Sequence, residues 1–118
     1  MTAQPRSGQP ALAGRFGRFH ETVAKWAATR PDSPAILEGD QTLTYAALDR
    51  LVQHIADALS GAGLRPRDRI LIVAENATSS IALVTAANRL GACCSILNAR
   101  MQPSEIQAIA DFAQPRMI

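Results

Sequence analysis

The chain has 118 residues, a formal net charge of +2 and 4% aromatic content. That length allows one domain with a modest core. So small a charge and so few aromatic side chains argue against a nucleic-acid or membrane-surface partner and against a base-stacking platform. Apolar residues make up 47%. Their longest runs, Ile70–Ala74 and Ile81–Val84, fall far short of the roughly 20 residues that span a bilayer.

Residues 1–18 hold three arginines, three glycines, two prolines and no acid. They read as a mobile tail, with residues 19–118 forming the structured part. Phe19 to Arg30 is expected as a helix, because Phe19, Val23, Trp26 and Ala27 make one apolar stripe. Pro31 stops it, having no N–H to donate. Ala35–Glu38 and Thr42–Tyr45 are strand candidates around Gly39-Asp40-Gln41, a hairpin signal. Thr44 is placed to cap the next helix, Tyr45 to Ser60. Here Leu48, Leu51, Val52, Ile55, Ala56 and Leu59 share one face, with Asp49, Arg50, Gln53, His54 and Asp57 on the other. Gly61 or Gly63 supplies the left-handed residue that ends it.

Ile70-Leu71-Ile72-Val73-Ala74 is an unalternated, mostly β-branched run, suited to a central parallel strand covered on both faces. Asn76 is the expected cap of a helix from Ala77 to Leu90, which Gly91 stops. Ala92–Leu97 reads as a second buried strand. Gln102, Pro103 and Glu105 open a further helix, which ends before Pro115. Arg116-Met117-Ile118 looks like the start of another strand. The expected architecture is α/β: a parallel β-α-β layer with two right-handed crossovers, preceded by a helix and a short hairpin. The layer reads as part of a larger domain. A sheet that stops there leaves unpaired backbone groups and uncovered apolar side chains, so the isolated chain is expected to be marginal or aggregation-prone.

Little of the chemistry-bearing sequence survives inspection. Gly61-Ala62-Gly63 follows a helix rather than opening one, so it reads as helix termination and not as a phosphate cradle. His54, Asp57 and Ser60 lie on the polar face of one helix, without the geometry of a triad. Cys93 and Cys94, adjacent in a strand, point to opposite faces. They read as buried small hydrophobes in a reducing cytoplasm, with His20 and His54 not placed as metal ligands. Lys25 reads as a solvated surface residue. Arg100 is the one candidate binding residue. It follows the strand end Ile96-Leu97-Asn98, and ligands of open α/β sheets bind beyond the carboxyl ends of strands. Its planar fork of donors suits phosphate. The plainer reading of Arg100 is an exposed loop residue.

The ordered set Ala28-Thr29-Arg30-Pro31-Asp32, Leu43-Thr44-Tyr45, the strand ending near Asn76, and Leu97-Asn98-Ala99-Arg100 resembles the beginning of the AMP-forming acyl- and aryl-CoA synthetases, within the adenylate-forming ligases. Leu97-Asn98 and Gln102-Pro103-Ser104-Glu105 look more like CoA ligases than peptide-synthetase adenylation domains. Arg67 stands where the family often has Gly. The resemblance implies a carboxylic acid activated with ATP and Mg to an acyl-adenylate, then transfer to CoA, in a cytoplasmic enzyme of fatty-acid or related metabolism. It also implies that the phosphate loop, the adenine and ribose motifs and the catalytic lysine lie outside this sequence. The chain itself is then expected to bind no cofactor on its own, to carry no catalytic residue or metal ligand, and to have the remainder of the synthetase as its partner. Arg100 is placed by analogy near a CoA phosphate. The alternative is a free-standing α/β nucleotide-binding or protein-interaction module. Coding sequence downstream of Ile118 would discriminate the two.

Overall fold

A computed structural model of the chain describes residues 19–75 and 77–118. The expectations for the tail and for Asn76 as a cap lie outside those residues. Among the described residues the elements run α1 (Phe19–Thr29), β1 (Pro34–Glu38), β2 (Gln41–Thr44), α2 (Tyr45–Gly61), β3 (Arg69–Ala74), α3 (Thr78–Arg89), β4 (Cys93–Asn98) and α4 (Pro103–Ala113). β1 and β2 form the expected antiparallel hairpin, with Glu38 opposite Gln41. β3 and β4 pair in parallel, from Arg69 opposite Cys93 to Ala74 opposite Asn98. On the other edge of β3, Ile70 bridges Met117 in parallel. The Leu71 N–H donates to the Met117 carbonyl at 2.9 Å. β3 is therefore central, as its apolar run required, and the last residues do begin a neighbouring strand.

The helices form where their apolar stripes can be buried. α1 and α2 pack on α3 around Val23, Leu48, Val52, Ala56, Ala82 and Ala86. α3 in turn covers Ile70 and Ile72 of β3 through Ala87, with Leu64 and Ala92 beside them. Ala82, Ala86 and Ala87 are fully buried, so small side chains let α3 approach both its neighbours closely. Thr85, equally buried, donates its hydroxyl to the Ile81 carbonyl at 2.7 Å. Arg89 ties α3 to α2 through Asp49 at 2.7 Å and through the Gln53 amide oxygen at 2.9 Å.

The helix ends follow local chemistry. The Thr44 hydroxyl accepts from the Ala47 N–H at 3.2 Å. Gln102 and Glu105 form a reciprocal capping box ahead of Pro103. Gly63, at φ +106°, takes the left-handed position after α2, and the Leu64 N–H closes on the Leu59 carbonyl. Among the described residues, α3 draws its capping contact from a distant element. Ala77 holds the N-cap position and makes no side-chain cap bond. The carboxylate of Glu38, from the hairpin, accepts the Thr78 N–H at 2.9 Å and the Thr78 hydroxyl as well. An anion at a helix N-terminus is favourable, so the hairpin tip latches the helix start.

The Thr78 hydroxyl and N–H hold the Glu38 carboxyl below its usual range, slightly opposed by desolvation. A depressed folded-state pKa stabilises above the unfolded value of 4.5 and is lost as pH falls through the folded one. The wild-type urea midpoint is therefore expected to drop more between neutral pH and acid than that of Glu38→Gln. Urea titrations of both proteins across that range check the latch.

Arg67 sits at φ +71°, the left-handed region that glycine adopts freely and arginine only at a cost. The glycine common at this position in the resembled family thus has a backbone reason. Arg67→Gly is expected to stabilise the chain by about 1 kcal/mol, the net of relieved strain and added unfolded-state entropy. Urea unfolding reads it directly.

β4 departs from expectation. It is not a buried strand: only Cys94 and Leu97 are even half-buried, and Ile96 is 54% exposed. Cys93 is exposed and Cys94 half-buried, so neither is the buried hydrophobe expected. The cause is position. β4 forms the outer edge among the described residues; Cys94 packs into the cluster under α3, but Ile96 borders an open hollow beside that helix. α4 likewise has no buried residue, and its Phe112 is 92% exposed.

Candidate functional site

Parallel pairing in register brings the ends of β3 and β4 level, and the loops after them meet. There Ala74, Glu75, Ile96, Leu97, Asn98 and Arg100 line an open cleft of about 500 Å³. Arg100 is thus where the sequence placed it, beyond the carboxyl ends of parallel strands. Asn98 shapes the turn, its side-chain oxygen accepting the Arg100 N–H at 2.9 Å. The Arg100 Nε lies 3.3 Å from a Glu75 carboxylate oxygen, with the two side chains 80% and 64% exposed. Sequence reading missed Glu75. Its signal was available: a carboxylate one residue past the end of β3 faces whatever follows the end of the adjacent, level strand.

So exposed a pair contributes between 0 and about 1 kcal/mol. It neutralises Arg100 in part yet yields readily to a better acceptor. A multiply charged phosphate is such an acceptor, because the guanidinium fork meets two oxygens at once. Ile96 also borders a second, apolar hollow of about 280 Å³, formed with Phe19, Ala77, Ser80, Ile81 and Val84. A polar cleft and an apolar hollow therefore adjoin across one side chain.

The other residues weighed from sequence do not assemble into a site. His54 and Asp57 are exposed on α2, and Asp57 accepts from the Gln53 amide at 2.8 Å. His20 is engaged through its backbone N–H, which donates to the Asn88 side chain at 3.1 Å. Lys25 is exposed. Partial burial, and then the neighbouring Cys93 charge, push the Cys94 thiol up, which works against a metal-binding thiolate. Among the described residues no group of three or more His, Cys, Asp or Glu side chains is disposed to hold a metal. None of the described helices is long and apolar enough to cross a membrane.

Comparison with known proteins gives a consistent picture. The family model described as AMP-binding enzyme matches residues 23–118. The chain is 32% identical over 97 residues to the feruloyl-CoA synthase of an Amycolatopsis species, covering 78% of this chain and 20% of that enzyme. It is 30% identical over 132 aligned residues to the hybrid PKS-NRPS synthetase thnA of Trichoderma harzianum, covering 100% of this chain and 3% of that one. The solved structure of VinN with L-aspartate matches with a TM-score of 0.81 at 28% identity, over 85% of this chain and 28% of that chain. The chain spans 20% or less of the length of the first curated relatives it matches.

Proposed function

The chain belongs to the AMP-binding enzyme family, and from that premise we propose that it serves as the first α/β layer of an AMP-forming acid–CoA ligase. In such an enzyme a carboxylate attacks the α-phosphorus of ATP, giving an acyl-adenylate and pyrophosphate. The CoA thiol then attacks the acyl carbon and expels AMP. The role assigned to the chain in those displacements is scaffold and rim. It works together with further synthetase polypeptide, in the cytoplasm.

The observation that carries this reading is the cleft at the ends of β3 and β4, held by a chain that matches the family from residue 23. Arg100 is the residue assigned to a phosphate of CoA, and Glu75 its competitor. Both groups fit: the guanidinium is open to solvent and its present partner is weakly held. When bound, CoA supplies the thiol nucleophile. Arg100 only orients the phosphate end.

Two measurements test the reading. Purified chain should show no carboxylate-dependent ATP–pyrophosphate exchange, and exchange by the chain alone would overturn the scaffold role. Calorimetric titration with CoA should weaken with Arg100→Ala and strengthen about two- to fivefold with Glu75→Gln, since the competing ion pair is removed. Unchanged affinity in both variants would remove Arg100 from the role.

A further inference from the structure

The opposite end of the sheet holds a second charged groove. It lies where β3 and β4 begin, about 610 Å³ in volume, lined by Arg67, Asp68, Arg69, Cys93, Gln114, Pro115 and Arg116. Pairing places three of these in one row. Arg69 is the register partner of Cys93, and the Arg116 N–H donates to the Arg69 carbonyl at 2.7 Å. Neighbouring strands are roughly 4.8 Å apart and in-row side chains share a face. Arg69 and Arg116 are therefore neighbours across the strands, with Cys93 on the other side of Arg69, Arg67 at the rim and the Arg116 guanidinium reaching to the Gly63 turn after α2.

Like charges set directly beside each other destabilise a sheet. None of the three arginines has a side-chain hydrogen bond or ion pair among the described residues, so the repulsion is not relieved internally. Helix C-termini account for them only in part: Gln114, the C-cap of α4, lines the groove, and the Arg116 guanidinium lies against Gly63 just past α2. The Ser60 and Leu64 carbonyls are taken by Arg65, and the α2 and α3 ends close through the Leu64 and Ala92 N–H groups. The single lining carboxylate, Asp68, accepts the Arg65 N–H at 2.7 Å and offsets only one of the three positive charges. The groove thus presents three unspent forks of donors around a space larger than one phosphate.

We propose that this groove binds a small anion carrying two or more phosphates, at the amino-terminal end of the strands and separate from the Arg100 cleft. Arg69 and Arg116 grip adjacent phosphate oxygens and Arg67 closes over them.

Cys93 provides a built-in reporter. In a Cys94→Ser background, its reaction with the dianionic disulfide dithiobis-nitrobenzoate should exceed its reaction with neutral dithiodipyridine. The ratio should be about tenfold above that of an unstructured cysteine peptide, through electrostatic steering. Inorganic pyrophosphate should slow both reactions, orthophosphate less so. Combining Arg69→Gln with Arg116→Gln should abolish the excess and the protection, whereas Arg100→Gln should preserve them. Titrating the wild-type chain with pyrophosphate should move the amide resonances of Arg67 to Arg69, Cys93 and Gln114 to Arg116. That arm decides the matter if the double variant does not fold. A reagent ratio equal to the peptide's overturns the proposal. So does pyrophosphate moving only other resonances, those around Glu75 and Arg100 included.

Discussion

Ile72→Ala is expected to destabilise the chain by about 2–5 kcal/mol, while Ile96→Ala costs about 1 kcal/mol or less. The two residues are register partners on β3 and β4 and point to the same face. Their difference is cover. Ile72 is 5% exposed beneath α3, and Ile96 is 54% exposed at the sheet's edge. Truncating Ile72 leaves a cavity that close-packed neighbours fill poorly, whereas truncating Ile96 removes atoms that already touch water. Urea unfolding of the two variants, with equal m-values, measures the contrast. Similar losses at both positions would mean that β4 is better covered than its exposure indicates.

Ala86→Leu is expected to cost about 1–3 kcal/mol, by overpacking rather than by a cavity. Ala86 is fully buried, in the cluster where α3 meets Val23 of α1 and Val52 of α2. Three added carbons have no space unless the helices separate, and separation loosens α3 from β3 as well. The loss is therefore expected to appear as a lower urea midpoint together with broadened signals from both sides of α3. A domain whose whole stability is of order 5–15 kcal/mol has little margin for it. A neutral or stabilising result would contradict the close approach of these helices. Ser79→Leu is the control, since Ser79 is an exposed position of the same helix and a change there should stay within about 0.5 kcal/mol.

Much of this fold was legible in the sequence, for identifiable reasons. α2 followed from the spacing of Leu48, Val52, Ile55 and Leu59, and its start from the Thr44 hydroxyl. The hairpin followed from Gly39-Asp40, and α4 from Gln102, Pro103 and Glu105. β3 followed from five apolar residues in a row. Each of these signals is local, and local chemistry decides it. Arg100 belongs with them, since its place after a strand end sets its place beyond the sheet.

What stayed hidden depends on contacts between distant residues. Cys-Cys-Ser-Ile-Leu reads as a buried strand, but burial requires a neighbour, and no composition says which strand has one. Glu38 accepts from the start of a helix 40 residues later, a contact that no local motif rule can find. Glu75 became visible only once β3 and β4 were known to end level. The backbone angle of Arg67 was hinted at by the family's glycine, which turned a sequence oddity into a site of strain. The basic groove was illegible because Arg67, Arg69 and Arg116 meet only when residue 116 returns alongside β3.

Beside the cleft, the thin cover of β4 and of α4 bears most directly on the scaffold role. Ile96 of β4, Phe112 of α4 and Ile118 beyond the Met117 bridge are each exposed, as they would be if further protein covered them. Residue-resolved amide hydrogen exchange on the purified chain tests this most directly. Amides of α2, α3 and β3 are expected to exchange only on global unfolding, while those of β4's outer edge and of α4 exchange through local opening orders of magnitude sooner. Protection of β4 and α4 equal to that of β3 would contradict the scaffold reading and describe a finished, self-covered module instead.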